Sequence, residues 1–162
     1  MDYNTLMQKI AAAKKSGVDL SKDEDLAIGV MNLISLEEHF FFTGEKVGKP
    51  EHFETLREIR EVRKELLAKL VNKHEGETWC ASKHLLAATM RLFEVGAKLK
   101  ADNKEAEAKE MFDRAYKFWT IFWGLRLKLL SLPEIKSEAE KDKAWTLDDI
   151  VKKLVDCCDE KT

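Results

Sequence analysis

Residues 112–123, FDRAYKFWTIFW, carry six aromatic side chains in twelve positions. On a helix at about 100° per residue, the apolar side chains of this stretch cover almost half of the circumference. Arg114 and Lys117 lie outside that face, and Arg126 and Lys128 interrupt the apolar run further on, so the stretch does not resemble a simple membrane span. It therefore predicts a central core helix in contact with several neighbours, with a ligand-lining helix as the alternative.

Helix signals recur on both sides of this stretch, and no segment shows the short β-branched alternation that is typical of strands. We therefore predict an all-α fold in which four long helices, joined by short loops, form an antiparallel four-helix bundle. Short additional helices are expected at the N- and C-termini, and the chain is expected to form a single domain over residues 1–162. The predicted core helices cover about residues 22–43, 50–71, 78–100 and 103–130, and the predicted terminal helices cover about residues 3–15 and 147–158.

Local signals set the expected helix boundaries. Residues 21–24 (SKDE) and 102–105 (DNKE) have the pattern of capping boxes, in which the first and last side chains satisfy free backbone amides at a helix N-terminus. The segment 44–49 (GEKVGK) is expected to be a loop, and Pro50 suits the first turn of the helix that follows it. Pro133 is expected to end the helix that carries the aromatic stretch.

The composition favours a globular protein whose main partner is not a nucleic acid. Of the 162 residues, 44% are hydrophobic and 36% are charged, which supports a packed core and argues against disorder. The formal net charge is −2, and the two signs are interleaved along the chain. Domains that bind nucleic acids are usually strongly basic, so binding to nucleic acid is not expected.

Three sequence features bear on localisation. The first ten residues, MDYNTLMQKI, lack the basic region and the apolar run of a signal peptide. No stretch reaches the roughly 18 uncharged apolar residues of a membrane span, so no membrane association is expected. The cysteines Cys80, Cys157 and Cys158 include an adjacent pair that cannot form a disulfide without strain, and they leave one odd thiol over. We therefore expect a cytoplasmic protein in a reducing compartment.

Charged residues fall inside the apolar stripes of two neighbouring helices. Glu37 lies in the centre of the stripe on the first core helix, and Arg60 and Arg63 lie within the stripe on the second. A hairpin that turns between these helices would bring the three side chains to one seam. Arg126 lies within the apolar arc of the aromatic helix and is expected nearby.

Two interpretations of this cluster remain open. A carboxylate buried among leucines must be paired, so the cluster can be an ion pair that fixes the register of two helices. Alternatively, Glu37 orients one arginine while the others offer the forked donors that match a carboxylate or a phosphate. In that case Tyr116 and Trp119 would be the aromatic walls of a site for a small anionic ligand. No cofactor is expected.

Cys80 and His84 are weak candidates for a metal site, because ligands four residues apart on a helix can bind one ion. Glu38 or His39 on another helix could complete such a site. The opposite side of the helix that carries Cys80 and His84 is apolar, so these two residues are expected to face water. No metal is therefore predicted.

Two acidic motifs raise a third interpretation. Glu58-Ile-Arg-Glu61 and Glu110-Met-Phe-Asp113 resemble the paired acidic motifs of helical nucleotide pyrophosphatases that bind magnesium. The resemblance implies a metal-dependent nucleotide hydrolase. Both motifs lie on strongly charged helix faces, where this spacing arises easily, so the hydrolase is expected less than the other functions.

The leading functional expectation is a non-enzymatic bundle that acts through self-association or through binding of a protein partner. Residues 40–42 are three consecutive phenylalanines, which cover much of the circumference at the C-terminal end of their helix. Phe42 points away from the stripe that contains Glu37, together with Ile28 and Met31, and a simple four-helix core does not bury that side. These three residues are therefore the candidate interface.

Overall fold

The structure is a computed structural model that describes residues 3–17, 19–71 and 76–131. Within these residues the chain forms helices and no strands, which confirms the prediction of an all-α fold. No helix of this described part is long and apolar enough to cross a membrane. The predicted helix over 147–158 lies outside the described residues. The helices are α1 (Tyr3–Lys15), α2 (Ser21–Val47), α3 (Pro50–Leu70), α4 (Glu77–Ala101) and α5 (Glu105–Arg126).

The helix α2 is longer than predicted, because residues 44–47 continue it instead of forming a loop. Gly44 lies inside the helix, where its missing side chain leaves room for a neighbour: a Cβ at this position would lie 2.9 Å from Cζ of Phe53. Gly48 ends the helix with a left-handed φ of 65°, and its amide donates to the carbonyl oxygen of Gly44 at 2.8 Å. The glycine that terminates α2 is therefore the second one in the segment.

The helix α5 is shorter than predicted and ends at Arg126, well before Pro133. The apolar spacing continues past this point, but Lys128 adopts a positive φ of 55° and turns the chain. The amides of Leu129 and Leu130 then both donate to the carbonyl oxygen of Gly124, at 2.9 and 3.2 Å. The last apolar residues of the pattern thus fold back over the helix end instead of extending it.

Neither predicted capping box forms. The first helical residue of α2 is Ser21 itself, and its amide donates to Oδ1 of Asp19 at 2.9 Å, so the aspartate stands in for the predicted serine cap. Burial of Leu20 anchors the chain just before this start. At the start of α5 the N-cap residue is Lys104 and not the predicted Asp102, and the side chain of Lys104 makes no capping hydrogen bond. Pro50 does occupy the first turn of α3, as predicted.

Two antiparallel hairpins organise the helices. In the first, α2 and α3 meet at Gly44 and Phe53 near the turn and at Glu37 and Arg63 further from it. The two helices therefore run in opposite directions. In the second, α4 and α5 are antiparallel in the same way. The hairpins contact each other through α2 and α4, and α1 packs on α5. These contacts are compatible with a helical bundle.

The contact between α4 and α5 is tight where Gly96 faces the ring of Phe112. Lys100 Nζ donates to Glu105 Oε2 at 2.7 Å beside the turn. One helical turn or so away, a Cβ on Gly96 would lie only 2.7 Å from Cε1 of Phe112. The ring therefore occupies the space that any larger residue at position 96 would need.

The aromatic stretch is core only in its second half. Phe118, Phe122 and Trp123 are buried, whereas Tyr116 is 54% exposed. Trp119 is half-buried; its ring stacks on Phe122 with centroids 5.8 Å apart and meets Trp123 edge-on at 5.5 Å. The prediction of a central core helix holds from about Phe118 onward and is wrong for Tyr116. The first half of α5 lies near the turn with α4, where no other described helix covers it extensively.

Two helical glycines give a matched test of the packing between α4 and α5. Gly29 has nothing within 4 Å of an added Cβ, so Gly29→Ala should raise stability by about 0.5–1 kcal/mol through helix propensity. Gly96→Ala should lose that gain and destabilise the fold by about 1–3 kcal/mol, because the Phe112 ring must move. Equilibrium urea unfolding measures both. Equal stabilisation of the two variants would contradict the close contact.

Asp19 gives a pH-dependent test of the start of α2. Its pKa is lowered from the ordinary value of 3.8, because the side chain and then the backbone amide of Ser21 hydrogen-bond to the carboxylate. A carboxyl group with a lowered pKa contributes stability above its unfolded pKa, and that stability is lost as pH falls through its folded pKa. We expect Asp19→Asn to lower the urea midpoint at neutral pH but not below the folded pKa. If the urea midpoint of Asp19→Asn stayed below that of the unchanged protein in acid, the stability could not be assigned to the ionised Asp19 carboxylate.

Candidate functional site

Glu37 lies between two arginines inside the α2–α3 hairpin. Arg63 Nε donates to Glu37 Oε1 at 2.8 Å, and Arg63 Nη2 lies 3.5 Å from Oε2. Arg60 Nε donates to Glu37 Oε2 at 3.0 Å from the solvent side. Arg63 is only 1% exposed and Glu37 is 9% exposed, whereas the Arg60 side chain is 46% exposed. The structure therefore brings together three of the four residues of the predicted cluster.

The geometry of this cluster favours an internal ion pair over an open anion site. Both oxygens of the Glu37 carboxylate accept hydrogen bonds from guanidinium groups, so the negative charge is compensated within the chain. Arg63 is enclosed by protein and directs two of its donors at Glu37. At Arg63, a bound anion would have to compete with that carboxylate for the same donors. The arrangement is thus suited to fixing the register of α2 against α3.

Arg126 is not part of this cluster, and the prediction that it lies nearby is wrong. Its Nη2 donates to Oδ2 of Asp23 at 2.9 Å, in the first turn of α2. Asp23 and Glu37 are about 21 Å apart along the helix at 1.5 Å per residue. The α5 C-terminus therefore lies at the opposite end of α2 from the turn with α3, which separates Arg126 from Glu37.

The proposed aromatic walls also lie elsewhere. Tyr116 is mostly exposed on α5, and Trp119 packs against the hydrophobic core through Phe122 and Trp123. The helical wheel placed both residues on the inner face of α5, but α5 is enclosed only toward its C-terminal half. A ligand site that combines the Glu37 cluster with these rings is not supported by this arrangement.

The metal candidates Cys80 and His84 do not sit in a ligand cluster. Among residues 3–17, 19–71 and 76–131, no group of three or more His, Cys, Asp or Glu side chains could hold a metal ion. Cys80 is buried rather than exposed to water as predicted, because α4 turns that side toward the rest of the protein. Glu38 instead pairs with Arg91.

Three of the four acidic residues in the two motifs pair with basic neighbours on their own helices. Glu61 pairs with Lys64 at 3.1 Å. In the second motif, Glu110 accepts from Arg114 Nη2 at 2.5 Å, and Asp113 accepts from Lys109 Nζ at 2.5 Å. Pairs of this kind, three or four residues apart, are ordinary on exposed helix surfaces. The geometry gives the hydrolase interpretation no support.

A stripe of residues on α2 faces outward, away from the core. Phe42 is 61% exposed and Ile28 is 49% exposed, as the sequence predicts for a candidate interface. Met31 is only 5% exposed, so its inclusion in the interface is wrong; it lies on the side of α2 that packs into the hydrophobic core. We name this stripe the α2 outer face, and its members are Ile28, Asn32, Ser35, His39, Phe42 and Lys46.

An open groove of about 460 Å³ runs beside the α2 outer face, between α2 and α4. Arg91 and Glu94 form its α4 wall, and Arg91 pairs both with Glu38 across the groove and with Glu94 at 2.8 Å. Sequence reasoning identified Phe42 but missed this wall, since no short loop connects α2 to α4. The residues that α2 contributes to this α2–α4 groove are Ser35, Glu38, His39, Phe42, Thr43 and Lys46.

The Glu37 cluster makes a stability prediction. Glu37→Ala removes the carboxylate that pairs with the buried Arg63 guanidinium, so we expect a loss of about 3–5 kcal/mol in the free energy of unfolding. Arg60→Met should cost only about 0–1 kcal/mol, because that side chain is half exposed. The double variant Glu37→Leu, Arg63→Met should cost far less than Glu37→Ala. Equilibrium urea melts measure all three, and a Glu37→Ala loss below about 1 kcal/mol would refute the buried pair.

Two features therefore remain as candidate sites: the Glu37 cluster inside the α2–α3 hairpin and the α2 outer face with its groove. The Glu37 carboxylate is paired within the chain, whereas the outer face exposes large apolar side chains. Comparison of the chain with protein-family models, with curated proteins and with solved structures finds no match.

Proposed function

We propose that this protein is not an enzyme and that it acts by binding a protein chain through the α2 outer face. In this proposal α2 to α5 form an antiparallel four-helix bundle that holds α2 rigid. The bound chain is either another protein or a second copy of this one. We place the protein in the cytoplasm, where a reducing environment suits the buried Cys80 thiol.

The observation that supports the proposal is the exposure of Phe42 beside a groove. A phenylalanine side chain that is 61% exposed leaves a large apolar area in contact with water. Removing such area from water is favourable by roughly 25 cal/mol per Å², which is the main driving force of protein association. Ile28 repeats this exposure toward the other end of the same stripe. Apolar side chains along one helix face are the anchors by which a helix binds to a partner surface.

The surroundings of Phe42 resemble the rim of an interface. Arg91 pairs with both Glu38 and Glu94, and these three side chains form a network of ion pairs along the α2–α4 groove. A polar rim of this kind around an apolar centre is typical of specific interfaces, because the rim stays hydrated while the centre is buried. His39 and Lys46 add hydrogen-bond donors on the α2 side. The groove therefore offers both an apolar anchor and polar groups that can select a partner.

The face is also preformed, which lowers the cost of binding. The inner side of α2 is fixed by the buried residues Ala27, Val30 and Met31 and by the pairing of Glu37 with Arg63. A helix held in this way loses little conformational freedom when a partner binds, so more of the contact energy appears as affinity. By contrast, the alternative function of anion binding would require the buried Arg63 donors that Glu37 already occupies.

Site-specific photo-crosslinking tests the proposal. The photoreactive residue p-benzoylphenylalanine replaces Phe42 in one variant and Tyr116 in a control variant, since Tyr116 is an aromatic residue of similar exposure on another helix. We expect protein adducts from position 42 and few from position 116, with the bound chain identified by mass spectrometry. Adducts at neither position, or equally at both, would contradict binding through the α2 outer face.

A variant of Phe42 then measures how much that side chain contributes. With the identified chain purified, Phe42→Ala should weaken binding by about tenfold or more, as expected for a central apolar anchor. Tyr116→Ala is the control and should leave the dissociation constant unchanged. Because Phe42 is largely exposed, Phe42→Ala should shift the unfolding free energy by no more than about 0.5 kcal/mol. Loss of binding that accompanies unfolding would count against the proposal.

A further inference from the structure

The α2 outer face is complementary to itself, and we propose that its partner is a second copy of this chain, paired antiparallel through α2 about a two-fold axis at Ser35. This inference rests on the proposed function and names the bound chain. It follows from three properties of the face: the positions of its apolar residues, the signs of the charges at its ends and the shape of the neighbouring groove.

The apolar residues of the face are symmetric about Ser35. Ile28 and Phe42 lie at equal distances on either side of it, about 10 Å away along the helix at 1.5 Å per residue. A two-fold axis through Ser35, perpendicular to α2, therefore puts Ile28 on Phe42 of the partner subunit and Phe42 on Ile28 of the partner subunit. One operation therefore makes the contact between Ile28 and Phe42 twice and covers both exposed apolar residues of the stripe in each copy, which is the property of an isologous interface. The small Ser35 side chain allows close approach at the axis.

The charges at the two ends of α2 select the antiparallel orientation. The first turns of the helix carry Asp23, Glu24 and Asp25, and the last turn carries Lys46. The same axis puts Lys46 opposite Glu24 and beside Asp25 of the partner subunit, so unlike charges meet at both ends. A parallel pairing would put like charges together and would align the two helix dipoles. Charge complementarity therefore favours the antiparallel pair.

Polar residues of the face select the register. If one α2 helix of the antiparallel pair is shifted by three residues along the other, Phe42 lies against Asp25 of the partner subunit and Ile28 lies against His39 of the partner subunit. A shift of four residues puts Phe42 against Asn32 and Ile28 against Lys46 of the partner subunit. In both registers each apolar side chain is buried against a polar one, which loses the apolar contact and desolvates the polar group. The register centred on Ser35 avoids this at both ends.

The α2–α4 groove gives the partner's Ile28 a place to bind. Phe42 lies on its α2 side, and the groove is open to solvent with a volume of about 460 Å³. The ion pairs of Arg91 with Glu38 and Glu94 hold the opposite wall in place. An isoleucine side chain that enters beside Phe42 is thus enclosed from two helices rather than one. Each copy offers one such groove and one Ile28, so two grooves are filled per dimer.

Sedimentation velocity of the full-length chain over a range of concentrations tests the dimer. We expect a concentration-dependent monomer–dimer equilibrium whose dissociation constant rises about tenfold or more in Phe42→Asp. Lys46→Glu should weaken the dimer, and adding Asp25→Lys to it should restore part of the loss. Tyr116→Asp is the control and should leave the dimer unchanged. Circular dichroism of each variant verifies that the helices remain folded.

Disulfide trapping tests the axis. Cysteines form a disulfide only if their Cα atoms can approach within about 7 Å, and the two-fold axis brings residue 35 closest to its own copy. In a background with Cys157→Ser and Cys158→Ser, Ser35→Cys should form a crosslinked dimer at least about tenfold faster than Asn32→Cys on the same face. Equal rates, or a dimer that Phe42→Asp does not weaken, would overturn the proposed pairing.

The outcomes separate this inference from the proposed function. A chain that stays monomeric up to about 1 mM while position 42 crosslinks to a different protein overturns the second copy and leaves the proposed function standing. A crosslink from position 42 to residues 132–162 of the same chain also overturns the inference that the partner is a second copy. A monomer without any adduct at position 42 overturns both.

Discussion

The buried pairing of Glu37 with Arg63 is the constraint on which the arrangement of α2 depends. A charge that is almost completely enclosed needs a compensating group in one position, whereas apolar contacts tolerate small shifts. If α2 slid along α3 by one residue, the carboxylate would turn away from the buried Arg63 guanidinium. The pair, with Arg60 beside it, therefore fixes both the register of the hairpin and the rotation of α2 about its own axis.

Sequence reasoning could place Glu37 next to Arg60 and Arg63 because a short turn joins their helices. Counting residues away from the turn then gives the positions on α3 that lie level with Glu37. The predicted end of α2 was wrong by a few residues, but the predicted pairing of Glu37 with the two arginines is still correct. Arg126 and Met31 could not be placed in this way. Their environments depend on how α2 meets α5 and α4, and these helices are not joined to α2 by a short loop.

The helix ends show a second limit of periodicity. The pattern of apolar residues continues through Leu130, yet a left-handed residue at Lys128 ends α5 earlier. At the end of α2 the opposite occurs, because Gly44 is kept inside the helix by its contact with Phe53 and Gly48 provides the left-handed turn. Which of two glycines ends a helix depends on the tertiary contact, and that information is not local to the segment.

The usual distribution of side chains is reversed twice on α2, and the two reversals are linked. Glu37 lies inside and Phe42 lies outside, five residues apart and therefore about 140° apart around the helix. Rotating α2 far enough to bury Phe42 would carry Glu37 out of its contact with Arg63 and leave that arginine without its carboxylate. The internal charge pair thus keeps an apolar residue at the surface, and a partner chain on the α2 outer face would bury it without disturbing the pair.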